Sequence, residues 1–121
     1  MPTLPLTLRL RLVFDARRAI GPGKIDLLEA IAQTGSITAA ARTMRMSYKR
    51  AWQLIDELNR CFAEPLITTS KGGEHGGGAL LTPTGANVAA LYRRMQRKTD
   101  KAATTEVAAL VRLARVRPHK R

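Results

Sequence analysis

The sequence predicts a mainly α-helical fold with a small β-sheet, and three stretches carry that prediction. Residues 35–59, GSITAAARTMRMSYKRAWQLIDELN, read as two helices joined by a tight turn. Residues 66–69 and 79–82 are short β-prone runs on either side of a glycine-rich loop. Residues 6–14, LTLRLRLVF, alternate along most of their length. With 121 residues and 45% hydrophobic composition, the chain can bury one core, carry an extension and avoid disorder.

In residues 6–14, Leu6, Leu8, Leu10, Leu12 and Phe14 fall on one face; Thr7, Arg9, Arg11 and Val13 fall on the other. Period two with one apolar face is a strand that buries that face. Its arginines read first as a solvated face, with phosphate contact as the alternative. Residues 15–24, which include Gly21, Pro22 and Gly23, read as a connection. Over 24–34, Leu27/Leu28 and Ile31 recur at helical spacing and Gly35 is a suitable terminator, which predicts a short core helix. Asp26 and Glu29 share a face of it as surface acids.

The pair of helices follows. Ser36 can cap the first through its hydroxyl, and the alanines at 39–41 let another helix approach closely. Met44-Arg45-Met46 interrupts the pattern, and Ser47 caps a second helix. In that helix Ala51, Leu54 or Ile55, and Leu58 repeat at inward spacing. Tyr48, Trp52 and Ile55 form a neighbouring line, so the two aromatics read as largely structural. Lys49, Arg50 and Gln53 fall away from both lines. Arginine can pair bidentately with guanine and glutamine with adenine, so these three are the candidate base contacts. A bracing helix, a brief turn and a polar, basic second helix are the parts of a helix-turn-helix.

After Pro65, two short strands flank the glycine run at 72–78, which makes a hairpin. Directly after a recognition helix that hairpin is a wing, and the expected fold becomes a winged helix-turn-helix. The glycine run lacks the Gly-Lys-Ser/Thr ending of a nucleotide-binding loop and precedes a strand rather than a helix. Thr82 and Pro83 open a last helical region, with apolar stripes Val88/Leu91/Tyr92/Met95 and Val107/Leu110/Val111/Ala114. It is either one helix of about 45 Å or two helices bent near Asp100. A small winged domain has no core left for the second stripe, so a helix-mediated homodimer is expected. The expected divisions are a DNA-binding domain over 1–95, a dimerising extension over 96–115 and a basic tail over 116–121.

The formal net charge is +12. Residues 91–121 hold ten basic and two acidic residues, so most of the excess lies at that end. Nucleic acid is the leading partner class, with an anionic membrane surface second. Cys61 is the one cysteine, which allows no intrachain disulfide and reads as a small buried residue. No apolar run approaches bilayer length and the N-terminus lacks a secretory h-region, so the expected location is cytoplasmic. His75 and His119 stand apart, with no Cys/His cluster and no carboxylate pair placed for acid–base work, so no enzymatic role is expected.

GSITAAARTM, SYKRAW and the loop KGGEHGGGALLTPTG together resemble the DNA-binding domain of the ModE family of molybdate-responsive transcriptional regulators, over roughly residues 6–95. GSIT-x-AA and LTP-x-G also resemble LysR-type regulators. The resemblance implies a dimer on a palindromic operator, most often a repressor's site upstream of molybdate transport genes. It adds Ser47 and Tyr48 to Lys49 and Arg50 on the recognition helix, and Lys71, Gly72 and Gly73 in the wing. On that reading Ser36, Thr38, Arg45 and Lys71 hold phosphates. No cofactor is expected from the residues; molybdate enters through the resemblance alone, and the C-terminal oxyanion-binding domains of ModE regulators have no counterpart in these 121 residues. Two other readings stay open: a winged module that binds nucleic acid or protein without sequence preference, and an oxyanion sensor.

Overall fold

The structure, a computed structural model, describes residues 6–70 and 78–115. Its order is β1 (Leu12–Val13), β2 (Ala19–Ile20), α1 (Pro22–Thr34), α2 (Ile37–Thr43), α3 (Tyr48–Cys61), β3 (Ile67–Ser70), β4 (Gly78–Leu81), α4 (Pro83–Ala102) and α5 (Thr104–Leu113). β1–β2 and β3–β4 are separate antiparallel ladders. The fold is mainly helical with small two-stranded sheets, as the sequence predicts.

The core lies between α1, α2 and α3 and is closed by β2, the wing and α4. Ile25, Leu27, Leu28 and Ile31 of α1 meet Ala40 and Ala41 of α2 and Ala51, Ile55 and Leu58 of α3. Leu54 and Ile55 are both buried, so α3 presents a broader inward face than one repeat requires. Cys61 is buried at the end of α3, and burial pushes its thiol pKa up.

Two expectations change, and one that the sequence left open is decided. The N-terminal strand shrinks from residues 6–14 to Leu12–Val13, because its partner is the two-residue Ala19–Ile20. Its alternation survives only in part: Leu6, Leu10 and Leu12 are partly buried, whereas Leu8 and Phe14 are exposed. The expected connection at 15–24 therefore holds a strand and the first turn of α1, with Pro22 at N1. The last helical region is two helices, and the break falls at Ala103, just beyond Asp100. The Thr104 hydroxyl donates to the carbonyls of Asp100 (2.9 Å) and Lys101 (3.0 Å), which draws them away from a straight helical ladder.

Gly35 joins the layers. It ends α1 in the left-handed region (φ 72°), and its carbonyl accepts from Ala79 N at 2.9 Å. The base of the wing is thereby fastened to the junction of α1 and α2. β3 and β4 pair from Ile67↔Leu81 to Ser70↔Gly78. The expected wing contacts Lys71, Gly72 and Gly73 lie outside the described residues.

Candidate nucleic-acid interface

The helix pair is built by local hydrogen bonds that its sequence prescribes. Ser36 Oγ accepts from Ala39 N at 3.0 Å and Ser47 Oγ accepts from Arg50 N at 3.0 Å, so both helices start where the serines stand. Between them α2 ends in a Schellman turn. Met46 N donates to the Ala41 carbonyl (3.0 Å) and Arg45 N to the Arg42 carbonyl (3.1 Å). The turn needs a left-handed residue, and Arg45 supplies it at φ 57°, where glycine is the usual occupant. Met44 and Met46 on either side pack against the core, so the turn is anchored and Arg45 projects from it, exposed.

α3 is amphipathic. Ala51, Leu54, Ile55 and Leu58 hold it to the core, and Tyr48, Lys49, Arg50 and Gln53 are exposed. The Arg50 guanidinium donates to Gln53 Oε1 at 3.4 Å, which aligns two of the expected base contacts one turn apart. The aromatics divide. Trp52 is half-buried against the core, as expected of a structural residue, whereas Tyr48 is 54% exposed. Their rings meet edge to face at 6.2 Å, so Trp52 steadies a tyrosine that faces solvent beside Lys49. The expectation that Tyr48 is structural is therefore corrected: at the first position of α3 its side chain projects away from the packed face.

Thr38 is exposed in the first turn of α2, and Ser36 is half-buried with its oxygen engaged as cap. Ser36, Thr38, Arg45, Ser47, Tyr48, Lys49, Arg50 and Gln53 thus all belong to α2, the turn or the start of α3. Among the described residues the ion pairs are Arg18–Asp15, Lys24–Glu57 and Arg93 with Asp26 and Glu29. Arg42, Arg45, Lys49 and Arg50 are in none of them. Glu57, the acid two turns along α3, is paired with Lys24 at 2.9 Å. The start of α3 is left with uncompensated positive charge, while its acids, Asp56 and the paired Glu57, lie at least two turns along, which is the polarity a helix needs to approach a polyanion by its N-terminus.

The family "bacterial regulatory helix-turn-helix protein, lysR family" matches residues 23–86, just over half of the chain, from the second residue of α1 through β4 into the first turn of α4. Molybdenum-pterin-binding protein MopB of Rhodobacter capsulatus is 47% identical over 73 residues, covering 60% of this chain and 27% of that protein. Molybdenum transport protein ModE of Azotobacter vinelandii is 42% identical over 88 residues (73% and 33%). The DNA-binding transcriptional dual regulator ModE of Escherichia coli K12 is 38% identical over 99 residues (82% and 36%). The chain thus spans about a third of the length of these relatives. A solved structure, the CbnR DNA-binding domain in complex with DNA, shares the fold at a TM-score of 0.55 and 20% identity, over 72% of this chain and 94% of that one. By its architecture, its helix pair and these matches, the chain belongs to the bacterial regulatory helix-turn-helix proteins of the lysR family and carries a ModE-like helix-turn-helix DNA-binding domain.

Proposed function

We propose that this protein is a sequence-specific transcriptional regulator that binds a palindromic DNA operator as a homodimer. The N-terminal half of α3 enters the major groove, where Lys49, Arg50 and Gln53 read bases and Ser47 and Tyr48 flank them. Ser36, Thr38 and Arg45 hold phosphates, and the wing, through Lys71, Gly72 and Gly73, follows the backbone. The observation that carries this reading is the exposed, acid-free, Ser47-capped start of α3 beside a left-handed Arg45. An arginine kept where glycine is favoured costs backbone strain, and a function for its side chain accounts for that cost.

Dimerisation is assigned to the C-terminal extension. No residue of α5 is buried; Leu110 and Leu113 are 56% and 81% exposed, and Val107 and Val111 are half-covered. A second copy packed along this stripe would cover it. Molybdate transport genes, or genes related to them, are the proposed targets, on the strength of the relatives' names.

Binding-site selection from a random duplex pool, followed by gel-shift titration of the selected site, tests the reading. The selected site should be an inverted repeat. Arg50→Ala should weaken it by about 1–3 kcal/mol and relax one position in each half-site. An unselective pool, or an unchanged consensus for Arg50→Ala, would remove α3 as the reader.

One observation favours a second reading. Arg94, Arg97, Lys98 and Lys101 expose a basic surface on α4, well after the recognition helix. Such a surface suits binding without sequence preference. Equal affinity and equal salt dependence for selected and random duplexes would favour that alternative.

A further inference from the structure

A cavity of about 400 Å³ opens between the N-terminal segment and the helix-turn-helix. Arg9, Arg11, Lys24 and Arg50 line it together with Met44 and Met46 of the turn, and no acidic residue does. Lys24 is committed elsewhere: its ammonium donates to the Ala19 carbonyl at 2.7 Å and pairs with Glu57. Arg9 and Arg11 are exposed and form no ion pair with a described acid. They are held from behind by Leu10. Its side chain packs against the core, and its carbonyl accepts from the Tyr92 hydroxyl at 2.7 Å. With Leu10 fixed inward, its two neighbours turn outward and line the cavity that Arg50 shares. Three guanidinium groups around one cavity repel one another, and an anion seated among them reverses the sign of that energy. The uncapped start of α1, Gly21 to Lys24, borders the same space and adds to its positive potential.

We propose that this cavity receives a backbone phosphodiester of duplex DNA, so that Arg9 and Arg11 extend the DNA contact beyond the helix-turn-helix and the wing. This rests on the DNA-binding reading of α3. Arg50 joins the two: it lines the cavity from α3, so a phosphate seated there lies beside the groove that the recognition helix reads. The contact is electrostatic and carries no base information.

The test is a salt titration of affinity for the selected and a random duplex, with wild-type protein, Arg9→Ala/Arg11→Ala and Arg9→Lys/Arg11→Lys. Each phosphate contact contributes about 0.9 to the slope of log affinity against log salt. In the proposed homodimer two such cavities meet the duplex, so the alanine pair should lower the slope by about 1.8 on both duplexes, a change of roughly 12-fold across a fourfold salt range, and leave the selected consensus intact. The lysine pair should retain the wild-type slope, because charge is what the phosphate requires. A wild-type slope in the alanine pair would overturn the inference while leaving the α3 reading in place. No duplex binding by the wild-type protein would overturn both. Calorimetry with inorganic phosphate and with molybdate, without DNA, separates a free ion from the polymer. Saturable binding that the alanine pair abolishes, with an unchanged DNA slope, would assign the cavity to a free oxyanion and overturn the proposal.

Discussion

Gly85 lies against the backbone of Leu66 so closely that a methyl group on it would overlap the Leu66 carbonyl oxygen. The approach is set by Thr82, which caps α4 by accepting from Gly85 N (2.9 Å), donates its own hydroxyl to the Pro65 carbonyl (2.8 Å) and donates its N–H to Leu66 O (2.9 Å). One threonine thus fastens the start of α4 to the two residues that lead into β3, the strand that opens the wing.

Gly85→Ala should therefore destabilise the domain by about 3 kcal/mol, because the obstacle is backbone and cannot rotate away. Chemical denaturation followed by circular dichroism measures it. A loss under about 0.5 kcal/mol would show that α4 can lift off the wing without cost.

Arg45→Gly should do the opposite to stability. Relief of the left-handed conformation gains about 1–2 kcal/mol, and the added freedom of the unfolded chain takes back about 0.5–1. A more stable protein with weaker affinity for selected and random duplexes alike is the expected result. Higher melting temperature with unchanged DNA affinity would remove Arg45 from the phosphate contacts.

Arg93 makes stability sensitive to acid. Its guanidinium meets Glu29 Oε1 at 2.7 Å and Asp26 Oδ1 at 2.5 Å, locking α4 onto α1, and lies 5.8 Å from the Tyr92 ring centroid. The Arg93 hydrogen bond holds the Glu29 carboxyl below its ordinary value of 4.5, against the opposing effect of burial. A depressed carboxylate contributes stability that is full above 4.5 and fades as the pH falls through the lower folded value. The carboxyl is partly exposed, so the contribution is no more than about 1 kcal/mol. Glu29→Gln should be less stable than wild type at pH 7, and the gap should narrow below pH 4.5. A gap that is the same at pH 7 and pH 3 would show that charge plays no part.

Leu110→Asp/Leu113→Asp should weaken self-association at least tenfold, about 1.4 kcal/mol, by placing charge on the stripe proposed to meet a second copy. Sedimentation velocity reads this directly. A wild-type protein that is monomeric at micromolar concentration would sink the dimer reading without the variant.

The parts that the sequence makes legible are those decided within four residues. Ser36, Ser47 and Thr82 cap helices where sequence alone places them, and Gly35 ends α1, because a cap needs only its own side chain or backbone and the next turn. The inward faces of α1 and α3 follow from helical spacing, and the exposed set Lys49, Arg50 and Gln53 follows as their complement. Local rules misread the edges. The alternation of residues 6–14 looks like a full strand, yet a strand extends only as far as its partner, and Ala19–Ile20 is two residues long.

What only tertiary structure decided are contacts between residues far apart in the chain, which no periodicity encodes. Asp26 and Glu29 look like idle surface acids until Arg93, more than 60 residues on, closes on them. Tyr92 reaches back 82 residues to hold Leu10, and that fixes which way Arg9 and Arg11 turn. Tyr48 and Trp52 share a line on α3, but only the packing around that helix shows that one is half-buried and the other open to solvent. Local chemistry picked out the helix proposed to read DNA; long-range packing set which cations stand beside it, because charges meet through space and not along the sequence.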